Sequence, residues 1–400
     1  MHFNQFISAN QQVLTKFYKR IYNTGYIADS GGKLLYPNIA LYTETKDFYV
    51  VEVFGASERF TDLKVKNHKV SSLEEYIYQF NYQPKGRRAN TIPKDPNLIT
   101  LMNLYFGGTI GDSSFKERFT FLNNWPTKLI NPNENPHHVD FGPYANMIFL
   151  INCVFVNRQN ETFRVKPIRW ACICFKGLEK HKYKRELISK LSPNIRTSED
   201  LHGVLHVTNE DNQEMSLYQE FLNLYQFRKL RETTLGDYLN QNNRILLKFF
   251  QSDHLLYEVS LKWIEGNPDP EEQFIRPDFL IKRPDGFYDI LDLKLPYQDR
   301  ERLTRGPRKR RNFMSIVEDG LAQLANYADY FSYAKNQEYA LVKYGIKVSE
   351  PKLIVIIGSY YNYNKDEIYE ASRKLDSKFM ILDYDTLNLG FLHQEESENN

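Results

Sequence analysis

The chain has 400 residues, a formal net charge of +2 and 42% hydrophobic content, which is enough material for two domains with proper cores. So small a charge excludes a molecule that is basic all over and coats nucleic acid through bulk electrostatics. Three cysteines exclude a disulfide framework, and the lack of an apolar run near ~18 residues or of a signal-peptide pattern leads us to expect a cytoplasmic protein with no membrane span.

From the N-terminus the chain alternates strand-like segments with loops. IALYT at 39–43, FYVVEVFG at 48–55, NMIFLINCVFV at 146–156 and FRVKPIRWACICF at 163–175 read as strands, and LINPNENPHH at 129–138 as a loop that leaves His137 and His138 solvated. Cys172 and Cys174 fall inside one buried strand, and neither they nor Cys153 have the partners a zinc site needs, so structural thiols are expected. The 28 tyrosines and 27 phenylalanines can serve packing or base stacking. The polar stretch 208–215 marks a change of pattern, dividing the chain into a strand-rich α+β domain over 1–210 and a second domain over 211–400.

Residues 216–231 carry apolar side chains at helical spacing. Beyond them the expected order is helix, strand 255–263, strands 274–282 and 287–295, helix 313–335, strand 352–358, helix 365–374 and strand 378–383. A small mixed sheet flanked by helices accounts for that order, so the fold class is α/β (α+β).

Within it, Arg276-Pro277-Asp278 and Asp292-Leu293-Lys294 lie on two adjacent strands separated by the turn signal Pro284-Asp285-Gly286. Register decides whether the charged groups meet. A two-residue loop at 285–286 pairs 278 with 293 and sets Asp278 on the face opposite Asp292. A three-residue loop at 284–286 pairs 278 with 292, so Asp278, Asp292 and Lys294 share one face. Pro284 suits a first turn position and Gly286 can take the left-handed conformation of a bulged hairpin, which favours the second register.

Two carboxylates can hold a hard divalent cation, Mg2+ or Mn2+. Such a cation polarises a phosphate and lowers the pKa of a water, and a lysine beside it offsets charge growing on phosphorus. The pattern therefore points to phosphodiester cleavage. The bland reading is a salt bridge on a solvated strand face. Against it, Ile290, Leu291, Leu293 and Leu295 crowd the same strand, which implies burial on both faces, where charges need partners. Gln323 and Tyr327 stand at i and i+4 on the following helix, where a glutamine can reach an attacking water or a phosphate oxygen. Between the hairpin and that helix lie Arg300, Arg302, Arg305, Arg308, Lys309, Arg310 and Arg311, interrupted by one acid, Glu301. They are expected to contact DNA phosphates without reading sequence. PKGRR at 84–88 and KHKYKR at 180–185 could extend that track.

The lead-in Arg231-Glu232-Thr233-Thr234-Leu235, RPDFLI at 276–281, ILDLKLP at 290–296, the helix with Gln323 and Tyr327, and LIVIIGS at 353–359 together resemble the PD-(D/E)xK nuclease superfamily. More narrowly, residues from about 215 to 390 resemble the nuclease domain of the Shedu anti-phage defence family. Asp292 stands where such domains more often carry Glu; the side chain is shorter, but ligation remains open to it. The resemblance implies a restriction-endonuclease-like sheet and a magnesium-dependent endonuclease acting on double-stranded DNA of phage. It implies Asp278 and Asp292 as metal ligands with Glu232 as a third acid (Glu220 is a poorer rival), Lys294 assisting the attacking water and Gln323 supporting it. It also implies an N-terminal domain that senses DNA or restrains the enzyme, and assembly into a homo-oligomer, with a tetramer the natural form. A catalytically silent DNA-binding or scaffold module, and an RNase or repair nuclease, are the alternatives.

Overall fold

The structure is a computed structural model and describes residues 1–24, 32–71, 73, 76, 139–141, 147–159, 162–191, 201–207, 210–227, 229–297, 300, 302–359 and 362–393. It divides into two units, Met1–Lys229 and Leu230–Asn400. Residues 84–88 and 129–138, singled out above, lie outside the described residues, as does the side chain of Cys153. No helix among the described residues is long and apolar enough to cross a membrane.

The first unit opens on helix α1 (Phe3–Thr24), an element the strand-and-loop reading does not contain. It buries Phe6, Asn10, Val13, Leu14, Phe17, Tyr18 and Ile21, a stripe at helical period. Next come β1 (Lys33–Leu35), β2 (Ile39–Glu44), β3 (Phe48–Phe54), β4 (Lys64–Lys69), β5 (Val139–Phe141), β6 (Met147–Gln159), β7 (Thr162–Phe175), α2 (Lys180–Lys190), β8 (Leu205–Val207) and α3 (Glu210–Tyr225). Six strands form one sheet in the order β4-β2-β3-β7-β6-β5, while β1 pairs with β8. Period-two alternation sends Tyr42, Val51, Val53, Trp170, Cys172 and Cys174 into one core with α1 and α2. Burial pushes both thiols up, Cys174 to about 12, so these cysteines are inert packing groups.

The opposite face of the sheet carries charge. Arg169 on β7 lies 2.5 Å from Glu220 on α3, with both side chains almost fully buried. Gly55 N–H donates to the same carboxylate at 2.6 Å, and the Arg169 guanidinium donates to the Gly55 carbonyl. Gly55 needs to be glycine here: its φ is +100° and a Cβ would stand 1.9 Å from Asn38 Oδ1. Glu220 is thus a structural anion of the first unit rather than a rival acid for the second. The pairing also explains why α3, expected to open the second domain near 210, groups with the first unit.

The second unit contains α4 (Glu232–Gln241), α5 (Arg244–Phe249), β9 (Leu255–Tyr257), β10 (Leu261–Lys262), β11 (Phe274–Ile275), β12 (Phe279–Lys282), β13 (Tyr288–Leu293), β14 (Thr304–Arg305), β15 (Asn312–Phe313), α6 (Ser315–Tyr330), α7 (Ala334–Tyr344), β16 (Leu353–Ile356), α8 (Lys365–Ser372), β17 (Phe379–Leu382) and α9 (Tyr384–His393). Five strands form a mixed sheet in the order β17-β16-β13-β12-β9, with β13, β16 and β17 parallel and β9, β12 and β13 antiparallel. The fold class is as expected: a strand-rich α+β unit followed by a mixed sheet with helices.

Several segments are shorter than the sequence reading has them. Residues 255–263 break at Glu258, which has φ +48°, and 274–282 break at Pro277, which has no N–H for a ladder. The helix expected over 313–335 ends at Tyr330, and after a turn at Phe331–Tyr333 a separate helix, α7, follows. Helix α9 was not foreseen.

Candidate functional site

The hairpin between β12 and β13 sets the site. Phe279 pairs with Leu291 and Lys282 with Tyr288, which puts Asp278 opposite Asp292. The loop is the three-residue one: Arg283 N–H donates to Phe287 O and Gly286 N–H to Arg283 O, with Gly286 at φ +86°. Every residue of β13 is buried. Ile290, with Leu280 and Val355, joins the core against α6. Asp292 and Lys294 follow Ile290 at period two, and the geometry below confirms that Lys294 meets α6.

Asp278 Oδ2 accepts from Leu293 N–H at 2.6 Å, which ties the carboxylate across the hairpin. Lys294 Nζ stands 2.6 Å from Asp292 Oδ2. The contact is close but not aligned as a hydrogen bond, so this buried carboxylate oxygen has a cationic neighbour and no aligned donor. The ammonium also donates to Gln323 Oε1 at 2.9 Å; Gln323 Nε2 donates to Tyr327 Oη at 2.5 Å, and Tyr327 donates to the Arg276 carbonyl at 3.1 Å. Gln323 therefore spends both polar ends holding Lys294 in place. A run of polar contacts leads from Asp292 through Lys294, Gln323 and Tyr327 back to Arg276, in the link between β11 and β12 that carries Asp278.

The electrostatics follow from burial. Desolvation raises the Asp278 carboxyl above the ordinary range, the neighbouring Asp292 charge adds to it, and the Leu293 N–H works the other way. Asp292 is likewise raised by burial, against the pull of Lys294. For Lys294 burial favours the neutral amine, yet the Asp292 carboxylate outweighs it and raises the ammonium above the usual lysine value. Two acids thus face one permanent cation, in a setting that stabilises additional positive charge.

Glu232 opens α4 and its charge is felt at Asp278, Asp292 and Lys294. It does not close a three-carboxylate set: among the described residues no three His, Cys, Asp or Glu side chains converge as a metal group would. The two aspartates, with all-oxygen donors, are the pair that could hold a cation.

Two contributors escaped the sequence reading. Tyr384, at the start of α9, donates to the Lys294 carbonyl at 2.7 Å from a fully buried position. Gly320 on α6 faces Lys294, where a Cβ would stand 3.4 Å from Lys294 Cε and 3.2 Å from Val355. A larger side chain there would press the lysine out of its track.

The arginine loop differs from a solvated basic patch. Arg305 pairs with Glu318 at 3.2 Å, Arg308 and Arg311 with Glu370 at 2.9 and 3.0 Å, and Arg311 and Arg302 with Glu367 at 3.0 and 3.6 Å. Arg300 lies over the Tyr297 ring, 5.7 Å from its centroid. Arg310 is exposed and has no ion-pair partner among the described residues, and the side chain of Lys309 lies outside them. Much of the loop's charge is therefore matched by α6 and α8.

No curated protein matches the chain. The family model described as Shedu protein SduA, C-terminal, matches residues 229–387, from the start of the second unit into α9. The match spans α4, the Asp278–Lys294 hairpin, Gln323 and Tyr384 together, so the second unit of this chain is similar to the C-terminal domain of Shedu protein SduA.

Proposed function

We propose that the second unit is a PD-(D/E)xK-type, magnesium- or manganese-dependent DNA endonuclease. Similarity of this unit to the C-terminal domain of Shedu protein SduA suggests a role in anti-phage defence. The observation that carries the chemical reading is the meeting of Asp278, Asp292 and Lys294 on one face of the hairpin, with Lys294 held by Gln323. Asp278 and Asp292 would hold the cation, which supplies Lewis-acid polarisation of the phosphate and a more acidic water. Lys294, kept protonated, offers its remaining N–H to the oxygen on which charge develops. Gln323 and Tyr327 fix the ammonium in place, and Tyr384 anchors the backbone beneath it. Arg310 and the outer arginines would grip phosphates, the first unit would govern access to duplex DNA, and the chain would work as a homo-oligomer, a tetramer by family resemblance.

Incubation with linear and supercoiled duplex, in Mg2+ and in EDTA, tests the reading. Cleavage in Mg2+ alone is expected, with RNA of the same sequence spared. The contact of Lys294 on Asp292, where a cation would compete, favours a second reading: a silent module that binds duplex. DNA binding unaffected by EDTA, with no scission on any substrate, would establish that module instead.

A cation at the aspartates also has a signature apart from catalysis. Both carboxyls are raised in the folded protein, so their contribution to stability is full at low pH and lost as pH rises through their folded values. Mg2+ takes the ionised form and relieves that loss. At a hundredfold excess over Kd it should raise the melting temperature by about 5–10 °C near pH 8 and by far less near pH 5.5. Equal shifts at both pH values would count against Asp278 and Asp292 as its ligands.

A further inference from the structure

A second charged feature lies in the first unit, on the solvent side of α1. Gln12, Lys16, Lys19 and Asn23 follow one another at intervals of four, three and four residues, and with Arg20 and Asp62 they line an open groove of about 800 Å3. Gln12 to Asn23 spans ~16 Å of helix, longer than one small ion requires. The lining is polar throughout, with three cations against one carboxylate. That carboxylate is already engaged: Asp62 Oδ1 accepts from Thr15 Oγ1 at 3.2 Å and from Leu63 N–H at 2.8 Å. Lys16, Lys19 and Arg20 form no ion pair among the described residues.

A helix face with lysines is ordinarily just solvated. Arg20 departs from that. Its guanidinium lies over the Phe17 ring, 5.7 Å from the centroid, and its Nη2 is shielded from solvent with no hydrogen-bond partner. The remaining guanidinium N–H groups belong to a half-buried side chain that lines the groove, where an oxyanion can pair with them. The stacked ring holds the fork in place before any ligand arrives. Beside it, Lys16 and Lys19 provide mobile point charges, and the Asn23 amide can donate and accept. Lys184 donates to Gln12 Oε1 at 2.6 Å and brings a fourth cation to the rim.

We propose that this groove binds the phosphates of a nucleotide, either a free nucleoside triphosphate or the backbone of a single strand. Arg20 takes one phosphate in a charge-assisted pair and Lys16 and Lys19 neutralise the next.

The test uses the full chain in EDTA, so that no scission occurs, with two fluorescent probes: a labelled ATP and a labelled 12-nucleotide single strand. Lys16→Gln/Lys19→Gln and Arg20→Gln are compared with the unaltered protein, and Lys335→Gln, an exposed lysine of the second unit, serves as the control. At least one probe should bind each α1 variant about tenfold or more weakly, while Lys335→Gln binds both probes as the unaltered protein does. For the strand, the slope of log affinity against log salt should fall by about 0.7 for each lysine removed. Loss confined to ATP identifies a free nucleotide as the ligand, and loss confined to the strand identifies the backbone. Hydrogen exchange on the unaltered protein should show residues 8–24 protected at saturating probe. Unchanged affinity for both probes in the variants, no binding of either probe by the unaltered protein, or no protection over 8–24 would each overturn the site.

Discussion

Lys294→Met is expected to lower magnesium-dependent cleavage by about 10²–10³-fold, the usual cost of losing one preorganised donor at a developing charge, with duplex affinity held within about twofold. The ammonium lies 2.6 Å from Asp292 and 2.9 Å from Gln323, and it touches DNA only at the reacting phosphate on the proposed reading. Its removal leaves packing nearly intact, because methionine can follow the same track past Gly320. Asp292→Asn should be at least as severe and should abolish the magnesium-dependent rise in melting temperature as well. Gln323→Leu gives the graded case: Lys294 keeps Asp292 but loses its second tether, so the rate should fall by about 10–100-fold through misplacement. Single-turnover cleavage at saturating enzyme separates these from binding defects. Full activity in Lys294→Met would remove this face from the chemistry.

What could be read from the sequence was local in space. The hairpin register rested on three residues, Pro284, Asp285 and Gly286, and the structure has the loop and the 278–292 pairing that they imply. Burial of β13 on both faces was legible in the run of Ile290, Leu291 and Leu293. The arginine loop misled because its partners are remote: Glu367 and Glu370 come from α8, beyond two helices and two strands, and no spacing rule links them to Arg308 and Arg311. Tyr384 escaped for the same reason, reaching Lys294 across 90 residues of chain. Helix α1 is a different case. Its 3.6-residue period was present in Phe6, Val13, Phe17 and Ile21, but the aromatic and β-branched content reads as strand when spacing is not counted. Glu220 reads as a poorer rival to Glu232, and its structural role was hidden because its partner, Arg169, is in an apolar strand where a charge would not be sought.

That buried pair leads to the largest stability effect expected in the molecule. Arg169→Met removes the only cation that contacts Glu220 among the described residues and leaves a carboxylate almost fully buried. Breaking one side of such a pair costs about 3–5 kcal/mol, so the first unit should lose most of its margin. The Gly55 N–H remains as a donor, but one hydrogen bond does not replace a guanidinium. pH distinguishes this cause from simple loss of packing. Burial pushes the Glu220 carboxyl up to about 7 even with Arg169 present. Its folded value exceeds the unfolded one, so its contribution to stability is complete at low pH and is lost as pH rises through about 7. Without Arg169 the folded value climbs further and the loss continues to higher pH, at up to about 1.4 kcal/mol per pH unit. The deficit should therefore be smaller near pH 5.5 and larger by about 1 kcal/mol near pH 8. Adding Glu220→Gln removes the buried charge and should recover part of the loss at pH 8 while flattening the pH dependence. Hydrogen exchange of α3 amides, followed at both pH values, reads the effect where it arises. A variant whose deficit is the same at pH 5.5 and pH 8 would mean that Arg169 stabilises the unit by its bulk alone, with the Glu220 charge satisfied by other means.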